Sequence, residues 1–290
     1  MAEAQKTHIL LTGGTDGIGK AAALELARQD VQLILMARNP AKAQATLAAI
    51  QAQTGKTDVV VLPGDLASLD SVRAFAANYR ERFGRLDVLL NHGGGYFIER
   101  GLSPDGYELT FATNYLGPTA LTLELLDLLT AQTTPRLARI VNTASFGVHL
   151  GRMRFDDLQW TRGPYRSMQV YAQSKRANLM FTFALARRLA QQGVTVNAFH
   201  PGLVRTNIEG NRELGPLRLL TAIVGLRPQR PGHMLAALAR SPRYAGITGR
   251  YYTNGRQMQA SRAARDLNQQ ERLWRITEEL LQTHGMRIMG

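Results

Sequence analysis

Thr7-His8-Ile9-Leu10-Leu11-Thr12, running straight into Gly13-Gly14-Thr15-Asp16-Gly17-Ile18-Gly19, is the stretch whose reading decides the fold. The first six residues are a short apolar run and predict a strand, while Lys20 to Gln29, rich in Ala, Leu and Glu, predicts a helix. Glycines between a strand and a helix permit a tight turn, let the backbone approach a pyrophosphate and let the helix pack close to the sheet. Unpaired N–H groups at the helix start then face the phosphates. Three residues separate Gly13 from Gly17 and one separates Gly17 from Gly19, a spacing that differs from G-x-G-x-x-G. The turn takes its weight from its position after the first strand of a βαβ unit.

Outward from that turn, strands and helices alternate. Val31 to Met36 predicts a second strand, Ala41 to Gln53 a helix, Asp58 to Leu62 a strand closed by Pro63-Gly64, Leu69 to Arg82 a helix, and Leu86 to Leu90 a strand. A long helix is expected from Tyr107 to Ala131, a strand at Ala138 to Asn142, a helix from Ser167 to Gln191, and a strand at Val194 to Phe199 broken by Pro201-Gly202. Leu203 to Arg230 reads as irregular, Gly249 to Tyr252 as a last edge strand, and Ser261 to Gln282 as a final helix. Short, nearly continuous apolar strands at this spacing argue for a parallel sheet covered on both faces. No linker, repeat or low-complexity stretch divides the 290 residues. The expectation is one doubly wound α/β domain over residues 1–290, with about seven mostly parallel strands and helices on both faces.

Composition narrows the function. A hydrophobic fraction of 44% supports a substantial core, and no apolar run reaches the 18 or so residues of a membrane span. Met1 to Lys6 is short and polar, unlike a signal peptide, so a soluble cytoplasmic protein is the default expectation. The absence of cysteine removes disulfides, thiolate catalysis and thiolate metal sites together. The net charge of +13 comes from 30 arginines and only five lysines against 22 acidic residues. These arginines are scattered, without a basic tail or interleaved aromatics, which reads as attraction for anionic ligands rather than nucleic-acid binding.

Tyr171 and Lys175 carry the chemistry. Theirs is the chain's only Tyr with a Lys four residues later, and on a helix that spacing puts both side chains on one face. An ammonium there is expected to lower the phenol's pKa, preparing it to exchange a proton with an alcohol or carbonyl oxygen. Ser145, at the end of a predicted strand, adds a hydroxyl. Together with the glycine turn these residues resemble the short-chain dehydrogenase/reductase family, with similarity from about Thr7 to Tyr252. Further matches are Asp65-Leu66, Asn91-His92-Gly93-Gly94, Asn114 in Thr113-Asn114-Tyr115-Leu116-Gly117, and His200-Pro201-Gly202 with Val204 and Thr206. Phe155 to Gln159, Tyr171 to Asn178 and Ile247 to Tyr252 look most like the retinol-dehydrogenase group. One departure stands out: His92-Gly93 occupies the place of the family's usual Asn-Ala.

The resemblance implies a Rossmann-type fold and assigns roles. Tyr171 would be general acid in reduction and base in oxidation, Lys175 would lower its pKa and hold the nicotinamide ribose, Ser145 would hold the substrate oxygen, and Asn114 would complete a proton relay. Gly13, Thr15, Asp16, Gly17, Ile18 and Gly19 would cradle the cofactor's phosphates. Asp65 and Leu66 would flank the adenine, Asn91 and Gly93 would line the adenosine ribose, and Pro201, Gly202, Val204 and Thr206 would contact the carboxamide. Arg38 stands where an NAD-type fingerprint carries an acid, which favours NADP(H) through pairing with the 2′-phosphate. Asp16 opposes this, since an acid beside the turn disfavours a phosphate dianion.

The expected reaction is hydride transfer between NADP(H) and a lipophilic carbonyl or alcohol. The alternatives are a non-catalytic NADP(H)-binding sensor and a carbon–carbon double-bond reductase of the same fold. The apolar residues between Ile208 and Arg230 suggest a substrate lid within 203–230, with Tyr96, Phe97, Phe146 and His149 as pocket candidates. By analogy alone, the two long helices suggest a homodimer.

Overall fold

The computed structural model describes residues 6–131, 138–145, 148, 151–202 and 226–289. The chain runs β1 (Thr7–Thr12), α1 (Gly17–Ala27), β2 (Val31–Ala37), α2 (Pro40–Thr54), β3 (Val60–Pro63), α3 (Leu69–Phe83) and β4 (Val88–Asn91). It continues through α4 (Leu109–Phe111), a π-helical turn (Ala112–Leu116), α5 (Gly117–Glu124), α6 (Leu126–Thr130), β5 (Ala138–Thr143), α7 (Ser167–Arg188) and β6 (Val194–His200). The last elements are α8 (Gln229–Arg240), a 3-10 turn (Pro242–Tyr244), β7 (Tyr251–Thr253), β8 (Arg256–Met258), α9 (Arg262–Arg265) and α10 (Leu267–Gln282).

The eight strands form one sheet in the order β3-β2-β1-β4-β5-β6-β7-β8, parallel except where β8 pairs antiparallel with β7. This is the doubly wound arrangement, and the strand order reverses between β1 and β4, where ligands bind outside the strands' carboxyl ends. Alternate residues of β1 serve two layers. Leu10 packs with the α3, α5, α7 and α10 side, whereas Ile9 and Leu11 pack with α1 and α8.

Local chemistry sets the helix starts and stops. Asp16, Asn39 and Ser68 each accept a backbone N–H at the start of α1, α2 and α3 respectively, and Gly55 and Gly84 end α2 and α3 in the left-handed conformation.

Four sequence expectations are corrected. The helix expected over Tyr107 to Ala131 is broken into α4, the π turn, α5 and α6. The packing of α5 is unusually close, since a Cβ on Gly117 would stand 2.0 Å from Leu66 O. The end of the stretch read as irregular is instead the start of α8, and a Cβ on Gly232 would stand 2.6 Å from Ala21 Cβ across the contact with α1. The expected edge strand is covered by β8, which raises the count from about seven strands to eight. The final helix is split at Asp266, which caps α10 through Gln269 N. Most of the expected lid, 203–225, lies outside the described residues.

α10 covers part of α7. Trp274 stacks on Phe181 with ring centroids 5.6 Å apart, Arg188 lies 3.9 Å from the Trp274 ring centroid, and Tyr115 Oη and Thr277 Oγ1 are 2.7 Å apart. This face of the helix expected to pair subunits is thus occupied within one chain. Among the described residues no helix is long and apolar enough to cross a membrane.

Candidate active site

The carboxyl ends of β1, β2, β3 and β4 surround a cavity of about 620 Å³, within the range of small-molecule sites. Its lining includes Gly13, Thr15, Asp16, Gly17 and Ile18 of the turn, Arg38 after β2, Asp65 and Leu66 after β3, and His92 to Phe97 after β4. Tyr96 and Phe97, two of the pocket candidates, are therefore present, whereas Phe146 and His149 lie outside the described residues.

Backbone crowding explains the glycines. A Cβ on Gly13 would meet Gly93 Cα at 2.8 Å, and one on Gly19 would meet Gly13 O at 1.9 Å. A Cβ on Gly17 would meet nothing within 4 Å, so the start of α1 faces open space. Gly17 N is capped by Asp16, and the next N–H groups of the first turn, which have no partner within the helix, fit a pyrophosphate.

The polar groups divide by role. Asp16 accepts from Gly17 N at 2.7 Å and pairs with Lys42 Nζ at 2.8 Å; the Lys42 hydrogen bond is the main cause holding its carboxyl below the usual range. Arg38 lies 3.8 Å from Asp65 and is two-thirds exposed. Asn91, expected to line the adenosine ribose, turns its amide the other way: Nδ2 donates to Asn142 Oδ1 at 2.9 Å and to Thr122 Oγ1 at 2.8 Å. Its side chain therefore joins β4 to β5 and α5 inside the core.

The side chains expected to carry the chemistry converge beside Gly94. Tyr171 and Ser145 share a side-chain hydrogen bond, and Lys175 Nζ lies 5.7 Å from the Tyr171 ring centroid. A Cβ on Gly94 would stand 2.7 Å from Asn114 Oδ1 and 3.4 Å from Lys175 Nζ. Asn114 is held from both sides: its Oδ1 accepts from Gly95 N at 2.7 Å and its Nδ2 donates to Gly95 O at 2.9 Å. It also sits in the π turn, a feature frequent at functional sites. Tyr96 packs edge-on against Tyr171 with centroids 5.5 Å apart, linking the cavity to the reactive cluster. Gly202 adopts φ +83°, and its N donates to His200 Nδ1 at 3.4 Å; Val204 and Thr206 lie outside the described residues.

One electrostatic expectation is reversed. The Tyr171 phenol sits above its ordinary pKa because burial outweighs the Ser145 hydrogen bond. Lys175 is itself buried, which lowers its ammonium from 10.5 to about 8, and it donates to Thr143 O at 3.4 Å. Desolvation taxes both charged forms, and a helical spacing alone does not reveal it.

A stability prediction follows. Between pH 8 and 10.5 the unfolded chain holds the Lys175 proton more tightly than the native protein does, so this residue's contribution to stability rises with pH across that window. Relative to Lys175→Met, the wild type should gain roughly 2–4 kcal/mol over the window in denaturant melts. Parallel curves for the two proteins would contradict the burial of a charged Lys175.

Sequence reasoning missed Lys42 and His92 as lining residues. Lys42 was detectable as a cation in the first turn of the helix that follows Arg38.

Comparison with known proteins agrees with this geometry. The short chain dehydrogenase family profile matches residues 7–216. Human retinol dehydrogenase 13 is 35% identical over 283 residues, covering 94% of this chain and 84% of that protein. A solved Mycobacterium paratuberculosis protein without assigned function is 29% identical with a TM-score of 0.75, covering 94% of this chain and 92% of that one. A variant of actinorhodin polyketide ketoreductase, solved with NADPH, is 26% identical with a TM-score of 0.66, covering 87% and 97% respectively. Fold, site and relatives together define an α/β oxidoreductase of a class that binds nicotinamide cofactors. The chain belongs to the short-chain dehydrogenase/reductase family, and it is similar to the retinol dehydrogenases within it.

Proposed function

We propose that this chain transfers a hydride between NADP(H) and a lipophilic carbonyl or alcohol, with Tyr171 as general acid in reduction and general base in oxidation. The observation that carries the proposal is the Ser145–Tyr171 hydrogen bond beside Lys175 and Asn114, next to a cavity that begins at the glycine turn. When bound, the nicotinamide supplies or accepts the hydride. Ser145 holds the substrate oxygen against the phenol, and Tyr171 delivers the proton to that oxygen. Lys175, beside Asn114 at Gly94, supplies positive charge as the phenol's proton leaves. A sensor would need no such proton-handling cluster. Similarity to retinol dehydrogenases supports an apolar substrate.

Charge around the turn supports NADP(H). Asp16, which taken alone repels a phosphate, is paired with Lys42, and Arg38, beside Asp65, stays two-thirds exposed, so this rim sets two cations against two paired acids and leaves the Arg38 guanidinium open to a phosphate. A ketoreductase relative solved with NADPH supports this reading. Arg38→Asp should weaken NADPH by roughly 1–3 kcal/mol while NADH changes little, because a charge-assisted hydrogen bond to phosphate is worth about that much. Titration of both cofactors against both proteins is the measurement. Equal losses for NADPH and NADH would remove the phosphate role.

A further inference from the structure

We infer that His92 holds the cofactor directly: its imidazole Nε2–H donates a hydrogen bond to the dinucleotide between its pyrophosphate and its nicotinamide ribose. The inference rests on the dinucleotide-binding reading above and adds a contact that the family's usual Asn at this position cannot make in the same way.

Three observations place His92 there. First, it follows β4 and lines the same cavity as the glycine turn. Second, its ring is oriented by β5, since Nδ1 lies 3.0 Å from Thr143 Oγ1, while its backbone N donates to Thr12 Oγ1 at 3.0 Å. Nε2 makes no hydrogen bond among the described residues, so on a residue that lines the cavity it remains available to a ligand. Third, the adjacent ring carbon Cδ2 lies 3.0 Å from where a Cβ on Gly19 would stand, at the start of α1.

The position also selects a part of the ligand. Arg38, Asp65 and Leu66 mark the adenine end on the β2–β3 side. His92 lies on the other side of the turn, and its partner Thr143 accepts through its backbone O from Lys175. The imidazole thus stands between the phosphate-facing helix start and the Tyr171 cluster.

Its protonation suits a donor. When the Thr143 hydroxyl donates to Nδ1, the ring hydrogen resides on Nε2. Burial, then the Lys175 charge, lower the imidazole from 6.5 to about 4, so the ring is neutral at physiological pH. Lys175 from α7 is the charged group facing it; Thr143 and Thr12 are neutral, and the start of α1 contributes the positive end of a helix dipole.

The test compares two ligands and two variants. NADPH spans the whole site, whereas 2′,5′-ADP reaches only the adenosine end. His92→Phe removes the donor, and His92→Asn keeps a short polar group near Thr143 while emptying the Nε2 position. Calorimetric titration should show NADPH binding weakened about tenfold or more in both variants, with 2′,5′-ADP binding unchanged. Unaltered NADPH affinity in His92→Asn overturns the inference and leaves the oxidoreductase reading standing. Equal losses for both ligands in both variants also overturn it, because His92 would then only support the turn. Failure of the wild type to bind either ligand would sink the dinucleotide reading and this inference with it.

Discussion

Tyr171→Phe is expected to lower carbonyl reduction by about 10²- to 10⁴-fold while leaving NADPH affinity within about twofold. The substitution deletes one oxygen: the atom that shares a hydrogen bond with Ser145 and that the proposed reaction uses to pass a proton. The ring itself, packed edge-on against Tyr96, is preserved. NADPH absorbance with a panel of aldehydes, ketones, steroids and retinoids gives the rate, and fluorescence titration gives the affinity. Carbonyl reduction that persists in this variant would eliminate Tyr171 as the acid.

The direction of the pKa shift adds a second signature. Burial holds the phenol above its ordinary value, so at neutral pH it carries its proton and is ready to act as an acid. As a base in alcohol oxidation it must first lose that proton. Oxidation should therefore climb with pH through the alkaline range while reduction falls, and Tyr171→Phe should flatten both profiles.

Much of this architecture was legible because the cues were local. Asp16, Asn39 and Ser68 cap helices as their residue types suggest, and Gly55 and Gly84 stop them. The parallel sheet covered on both faces follows from near-continuous apolar runs such as Leu33-Ile34-Leu35, whose residues are all buried. β8 carried a cue that went unread: Asn254 and Gly255 have φ +47° and +77°, the paired positive values of a tight hairpin turn. α8 was hidden because its start carries Pro228, Pro231 and Gly232, residue types that interrupt helices. A proline in the first turn loses no helical hydrogen bond, and Gly232 is required by the approach to Ala21.

The site was less legible than the fold where its properties depend on distant segments. The spacing of Tyr171 and Lys175 gave their shared face but not their burial, so it pointed the phenol's pKa in the wrong direction. Asn91 matched a motif, yet its amide belongs to the core contacts with Asn142 and Thr122. The partner of Asp16 lies 26 residues away on another helix, and without Lys42 its charge argued against the proposed NADP(H).

Gly19→Ala tests the cavity from its other end. The added methyl carbon would stand 1.9 Å from Gly13 O, a backbone atom that moves only if the turn opens. Gly13 has little room to retreat, because its own backbone is already closed against Gly93. Relief must come from displacing the start of α1, which carries the N–H groups facing the cavity. The expected cost is about 1–3 kcal/mol of stability together with a loss of NADPH affinity of about 100-fold. Gly84→Ala provides the contrast. Its φ of +59° makes any side chain strained, but a Cβ there would meet nothing within 4 Å and it lies at the end of α3. It should lose about 1 kcal/mol of stability with unchanged affinity. Thermal melts and NADPH titrations of both variants separate general destabilisation from loss of the phosphate cradle. A Gly19→Ala protein that melts early but binds NADPH like the wild type would show that the glycine turn is packing alone, and the dinucleotide would have to bind elsewhere.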